Sequence, residues 1–164
     1  KFISENEFFN QIIEEESIYW SLDLELVHLN VMKTFEKMKL VQDVNSKVLL
    51  EVFRDKEDDL KFTNELLRKS LVNNKEYSEI IEKFTKNWEV DRLAKIDVIL
   101  LKLAMTELDH MPNIPVKVTM NEYIDLSKYF STPKSKSFIN GVLDRVVSEW
   151  RESGRLEKSG RGLM

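Results

Sequence analysis

The sequence predicts an all-α protein, and three observations carry that expectation. Only four glycines and three prolines interrupt 164 residues, so helices can run long without a breaker. Charged residues make up 33% of the chain, as in proteins built from amphipathic helices. Between those charges the apolar residues recur every three or four positions, which is the period of a helix with one buried face.

The elements are taken in chain order. Ser4-Glu5-Asn6-Glu7 has the form of a capping box, a hydroxyl three residues ahead of a carboxylate. Phe8, Phe9, Ile12 and Ile13 come next at helical spacing, predicting a first helix to about Ser17. Leu22, Leu24, Leu26, Val27, Val31, Met32 and Phe35 predict a second helix toward Lys39, and a shorter apolar run spans Val44 to Phe53. From Asp58 the helices are better defined. Leu60, Phe62, Leu66, Leu67 and Leu71 form one stripe, closed by Asn73-Asn74, and Tyr77, Ile80, Ile81 and Phe84 form the next. Trp88 falls in a connection, and Asp91 is the expected N-cap of a long apolar helix from Arg92 to Asp109. Pro112 and Pro115 break the chain. Thr119-Met120-Asn121-Glu122 reads as a second capping box, opening a helix to about Phe130. The last helix is expected to begin between Thr132 and Ser137 and to carry Phe138, Ile139, Val142, Leu143, Val146, Val147 and Trp150. Gly154 and the residues after it read as a frayed tail.

This length fits one domain, with or without an appended helical segment, and suffices for a core without staples. The absence of cysteine removes disulfides, thiolate metal sites and cysteine nucleophiles. No window approaches the ~18 apolar residues of a membrane span, and a cytoplasmic location is the expectation. The chain begins at Lys1, which reads as a fragment or processed product. Its net charge of −4 is unevenly placed: eight Lys/Arg stand against four acids from Lys128 onward, and seventeen against twenty-five before it. Such a chain can offer a phosphate-friendly end and an acidic body, although ordinary surface charge has the same appearance.

Three places invite a functional reading. Asp97 sits among Leu93, Ala94, Leu100 and Leu101 on a helix that is apolar nearly all round. A carboxylate there needs a partner, either inside the bundle or across a docking surface whose apolar area comes from Leu93, Leu100 and Leu101. Asn140-Gly141 interrupts no helical period, so the glycine lies within a helix at a cost of about 1 kcal/mol relative to alanine. Either tight packing or an approaching phosphate or base would explain it. Thr132-Pro133-Lys134-Ser135-Lys136-Ser137-Phe138 places two lysines, hydroxyls and an aromatic at a helix start. Lys134, Ser135 and Lys136 could meet phosphates and Phe138 could stack on an unpaired base, or the segment is a solvated loop with a core Phe. Catalysis has little support. His28 and His110 lack ligand-spaced companions, no phosphate-binding glycine loop is present, and neither an enzyme nor a cofactor is expected.

Asn121-Glu122, the Lys/Ser-rich connection and Phe138-Ile139-Asn140-Gly141-Val142-Leu143-Asp144 resemble, in that order, the NusB family of transcription antitermination factors. The resemblance extends upstream through Arg92-Leu93-Ala94-Lys95-Ile96-Asp97 and Thr106-Glu107-Leu108, covering about residues 58 to 148 and not the first fifty. With the reading of the flanking residues, the expected organisation is a helical extension over 1–56, a NusB-like bundle over 57–152 and a flexible tail over 153–164. The resemblance further implies a non-catalytic adaptor that binds boxA single-stranded RNA through Lys134, Ser135, Lys136, Phe138, Asn140 and Gly141. In that reading Asp97 contacts NusE, a small-subunit ribosomal protein, and the complex joins the elongating RNA polymerase. Ser137 departs from the basic residue common before the Phe. Typical members also begin with an arginine-rich helix, whereas the only Lys/Arg among residues 1–20 here is Lys1, so the chain reads as the C-terminal part of a longer member. Two alternatives stay open: an accessory domain of a ribosomal-RNA cytosine methyltransferase, and a structural module that forms a homodimer through the Asp97 face.

Overall fold

In the computed structural model, the described residues are 6–17, 20–40, 48, 49, 53, 55–85 and 94–158, and they form seven helices and no strand. None of these helices is long and apolar enough to cross a membrane. The chain divides into two compact units, residues 1–55 and 56–164.

In the first unit, α1 (Glu7–Glu16) packs against α2 (Trp20–Leu40). The N-cap of α1 is Asn6, whose Oδ1 accepts a hydrogen bond from the Phe9 amide at 2.9 Å. The cap is thus two residues beyond the expected Ser4, which lies outside the described residues, because the Asn6 side chain already satisfies an orphan amide of the first turn. Lys37 and Lys39 occupy the last turn of α2, where they complement its dipole. Of the apolar run from Val44 to Phe53 only residues 48, 49 and 53 are described, and they are not helical.

The second unit starts with α3 (Lys56–Val72), whose first turn carries Glu57, Asp58 and Asp59. Asn73 alone joins it to α4 (Asn74–Thr85): its amide donates to Lys69 O and its carbonyl accepts from the Tyr77 amide, both at 3.0 Å. The central element is α5 (Lys95–His110), which packs against α3, α4, α6 and α7. Its N-cap position is Ala94, without a side-chain cap, and the expected Asp91 lies outside the described residues. After the proline break come α6 (Val116–Phe130) and α7 (Ser135–Glu152), packed on each other. The Thr119–Glu122 box is not a cap. Pro115 holds the N-cap position in extended geometry, so α6 starts four residues early and Thr119 is buried within it.

The core joins Tyr77 and Ile81 of α4, Leu100, Leu101, Ala104, Met105 and Leu108 of α5, Val116 and Tyr123 of α6, and the α7 stripe from Phe138 to Trp150. Each stripe follows the 3.6-residue period, which is why burying all four removes most large apolar groups of this unit's centre from water. On α3 the expected stripe is less protected: Leu60, Leu67 and Leu71 are exposed.

The frayed tail is corrected as far as residue 158. Gly154 adopts φ 72°, a left-handed conformation that glycine takes without strain, and turns the chain back after α7. The Leu156 amide then donates to Trp150 O at 3.0 Å, and the Leu156 side chain packs on the core. Arg155 lies over the Trp150 ring at 4.3 Å and pairs with both Asp109 and Glu76. Lys158 donates to the carbonyls of Glu107 (3.0 Å) and Met111 (2.9 Å), satisfying acceptors at the end of α5. Burial alone would raise the Asp109 carboxyl, but Arg155 holds it below its ordinary range.

Candidate nucleic-acid and partner interface

The turn between α6 and α7 gathers the cations that the sequence singles out. Lys134 and Lys136 are exposed at the start of α7 and make no ion pair among the described residues. Exposed Lys128, at the end of α6, pairs with Asp125. Between these lysines Tyr129 and Phe130 are 69% and 47% exposed. Cations and exposed aromatic faces within nine residues are the groups that hold phosphates and unstacked bases. Tyr129 and Phe130 are absent from the expected site. A signal existed: the buried positions of α6, Val116, Thr119, Tyr123 and Ser127, recur at a spacing that leaves Tyr129 off the stripe.

Phe138 occupies the opposite situation. It is 4% exposed within the α7 stripe, so its ring belongs to the core and is closed to base stacking. Ser135 is also inside, with its hydroxyl facing other protein groups instead of solvent. Asn140 is half-buried and donates to Asp144 at 3.0 Å. Gly141 is exposed, and a Cβ built on it would meet nothing within 4 Å. Tight packing inside the bundle therefore does not explain this glycine.

The Asp97 face also changes. Asp97 is 4% exposed, and its Oδ2 accepts a hydrogen bond from Ser135 Oγ at 2.7 Å, while Oδ1 has no partner among the described residues. Leu101 is fully buried and Leu100 nearly so, both packed in the core. These three side chains point into the bundle because α5 is surrounded by four helices, so they do not form the expected docking surface. Leu93 lies outside the described residues. What α5 shows outward is Lys95 and Ile99, along an apolar groove shared with Ser78, Ile81, Glu82 and Thr85 of α4 and of about 290 Å³. Glu107, the other acid of this helix, is buried and accepts from Tyr123 Oη at 3.3 Å. Burial first, and then the Glu107 charge, push the Tyr123 phenol above its ordinary range, so it remains a donor to that carboxylate.

Among the described residues no group of three or more His, Asp or Glu is gathered to hold a metal. What the turn can do is bind: neutralise phosphates and stack on bases.

The NusB family model matches residues 24–148, so the likeness begins inside α2 and not near residue 58. The chain is 45% identical over 103 residues to a protein of Salinibacter ruber named transcription antitermination protein NusB, covering 63% of this chain and 64% of that one. Proteins of the same name from Chloroherpeton thalassium and Natranaerobius thermophilus are 38% identical over 103 residues and 44% identical over 77 residues. The matches cover 63% and 47% of this chain and 49% and 55% of those relatives, so the chain spans about half to two thirds of the curated proteins it matches. Among solved structures, T. maritima NusB superposes with a TM-score of 0.54 at 26% identity, covering 72% of this chain and 84% of that one. An all-α bundle whose central helix, proline break and Asn-Gly helix keep this order, matched by the family over residues 24–148, makes this chain a member of the NusB family.

Proposed function

We propose that the chain is a non-catalytic adaptor in transcription antitermination that binds boxA-type single-stranded RNA together with NusE. The observation that carries this reading is the exposed group Lys128, Tyr129, Phe130, Lys134 and Lys136 around one turn. Lysine ammonium groups release counterions from phosphates, and aromatic faces hold unpaired bases with little regard to sequence. Of the residues the resemblance implies for RNA, Lys134, Lys136 and Gly141 are outward and Asn140 is half outward. Ser135 and Phe138 serve from inside. The relatives' name, transcription antitermination protein NusB, supports the process. Partnership with NusE, and through it with the elongating polymerase, is the role that family membership supports. Asp97, being internal, is not the contact.

The test is a titration of labelled boxA-type RNA with the full chain, alone and with cognate NusE, at stated salt. Binding that needs or is strengthened by NusE supports the adaptor. Tyr129→Ala and Phe130→Ala should each weaken it by about 1–3 kcal/mol if they stack on bases. Unaltered binding in the double variant would remove the aromatic pair from the site.

A further inference from the structure

Ser135 brings together two elements that lie 38 residues apart in the chain. Its Oγ is 2.7 Å from Asp97 Oδ2, 2.9 Å from both Ser131 Oγ and Thr132 Oγ1, and accepts from the Thr132 amide at 3.2 Å. A hydroxyl has one proton and two lone pairs, and a carboxylate only accepts, so that proton goes to Asp97 and, beside the Thr132 amide, the Ser135 oxygen takes a proton from one of the two neighbouring hydroxyls. The hub is 1% exposed at Ser135. It also ties down a helix start that lacks a side-chain cap, since Lys134 holds the N-cap position of α7 without capping it.

As a stabilising device this is a poor choice. A carboxylate buried with one oxygen unpartnered among the described residues is expensive, and an apolar side chain of similar size would serve a bundle as well or better. What the hub does achieve is geometric. It fixes Ser131, Thr132 and Ser135 to α5, and the exposed Lys134 and Lys136 flank the anchored serine on either side. A connection held in one conformation before binding loses less conformational freedom when a ligand arrives.

We infer that Asp97 and Ser135 are positioning residues for the RNA-binding turn: their hydrogen bond sets Lys134 and Lys136 in register for phosphates of a single strand. The inference rests on the adaptor reading and adds to it the role of two internal residues that touch no RNA. It also accounts for an Asp inside the bundle, which a docking surface does not.

The experiment uses the full chain with NusE and a labelled boxA-type RNA, titrated across a range of salt. Ser135→Ala, with its helicity checked by circular dichroism, should bind about tenfold more weakly and lower the slope of log affinity against log salt by about one to two. Asp97→Asn, whose amide oxygen still accepts the serine proton, should recover most of what Asp97→Ala loses. On a Lys134→Ala/Lys136→Ala background, Ser135→Ala should add little, because the groups it positions are gone. A folded Ser135→Ala chain with an unchanged salt slope, or a loss that adds fully to the lysine variant, would overturn the inference while leaving RNA binding standing. If the lysine variant itself binds like the unaltered chain, the RNA reading of this turn falls and takes the inference with it. Should Ser135→Ala not fold, Ser131→Ala removes one contact of the hub from a less buried position; a smaller drop in slope supports the inference and none overturns it.

Discussion

At the residue scale, Gly141 and His110 carry opposite lessons about what a side chain's surroundings imply. Gly141 lies in the middle of α7 with open space beside it, so alanine there meets no obstacle. Gly141→Ala is expected to stabilise the free chain by about 1 kcal/mol, read as a higher midpoint in thermal unfolding. If a strand approaches the backbone there, the same variant weakens RNA binding; a stabilised variant with unchanged affinity would place the strand elsewhere. His110, by contrast, is constrained. The Asn73 amide nitrogen donates to Lys69 O at 3.0 Å and lies 2.9 Å from His110 Nε2, which must accept and therefore be unprotonated. Burial is the larger cause that lowers the His110 pKa below its ordinary 6.5, with the Lys69 and Arg155 charges acting the same way and Asp109 opposing. The unfolded chain then takes up the proton first. Stability from this site is complete above the ordinary value and declines as pH falls through it. Thermal midpoints measured at about pH 5 and pH 7.5 should show that decline, and His110→Gln should flatten it.

At the scale of elements, the stripes of α4, α5 and α7 were legible because periodic apolar residues report a buried face directly. Helix starts were less so. Ser4 and Thr119 both satisfy the capping-box pattern, yet Asn6 and Pro115 hold the cap positions, since a nearby residue with better local geometry takes the role. Phe138 shows how a site can be misread with its signal in view: its spacing with Ile139, Val142 and Leu143 already put it on the core face. The Asp97–Ser135 bond was out of reach, because nothing local links positions on α5 and α7. The same holds for the segment after Gly154, whose charged residues look like a solvated end until Asp109 and the α5 carbonyls are placed beside them. Arg155→Ala should cost about 2 kcal/mol, less than a fully buried pair, because it leaves the Asp109 carboxylate half-desolvated without its cation. Chemical denaturation would show a lower midpoint with an unchanged slope. A change below a few tenths of a kcal/mol would mean the segment is docked without contributing.

At the scale of the molecule, the described buried core belongs to the second unit: among the described residues, every buried member of that cluster lies between Tyr77 and Trp150. Residues 56–158 produced alone should therefore unfold in one cooperative, helical transition; a broad, non-cooperative melt would show that the first unit is needed to complete it. The charge distribution acts locally as well: residues 128–136 at the candidate RNA turn hold Lys128, Lys134 and Lys136 and no acid, despite a net charge of −4 for the chain. Trp150 gives this unit a built-in optical reporter. Its ring is 2% exposed, 6.4 Å from Tyr77 and covered by the Arg155 guanidinium. In a chain with Trp20 and Trp88 replaced by Phe, emission from this one indole would register the return of the last residues onto α5. Release of the segment would admit water to the ring and move its emission to longer wavelength while the helices remained intact, so local undocking and global unfolding could be followed as two separate colours of one signal.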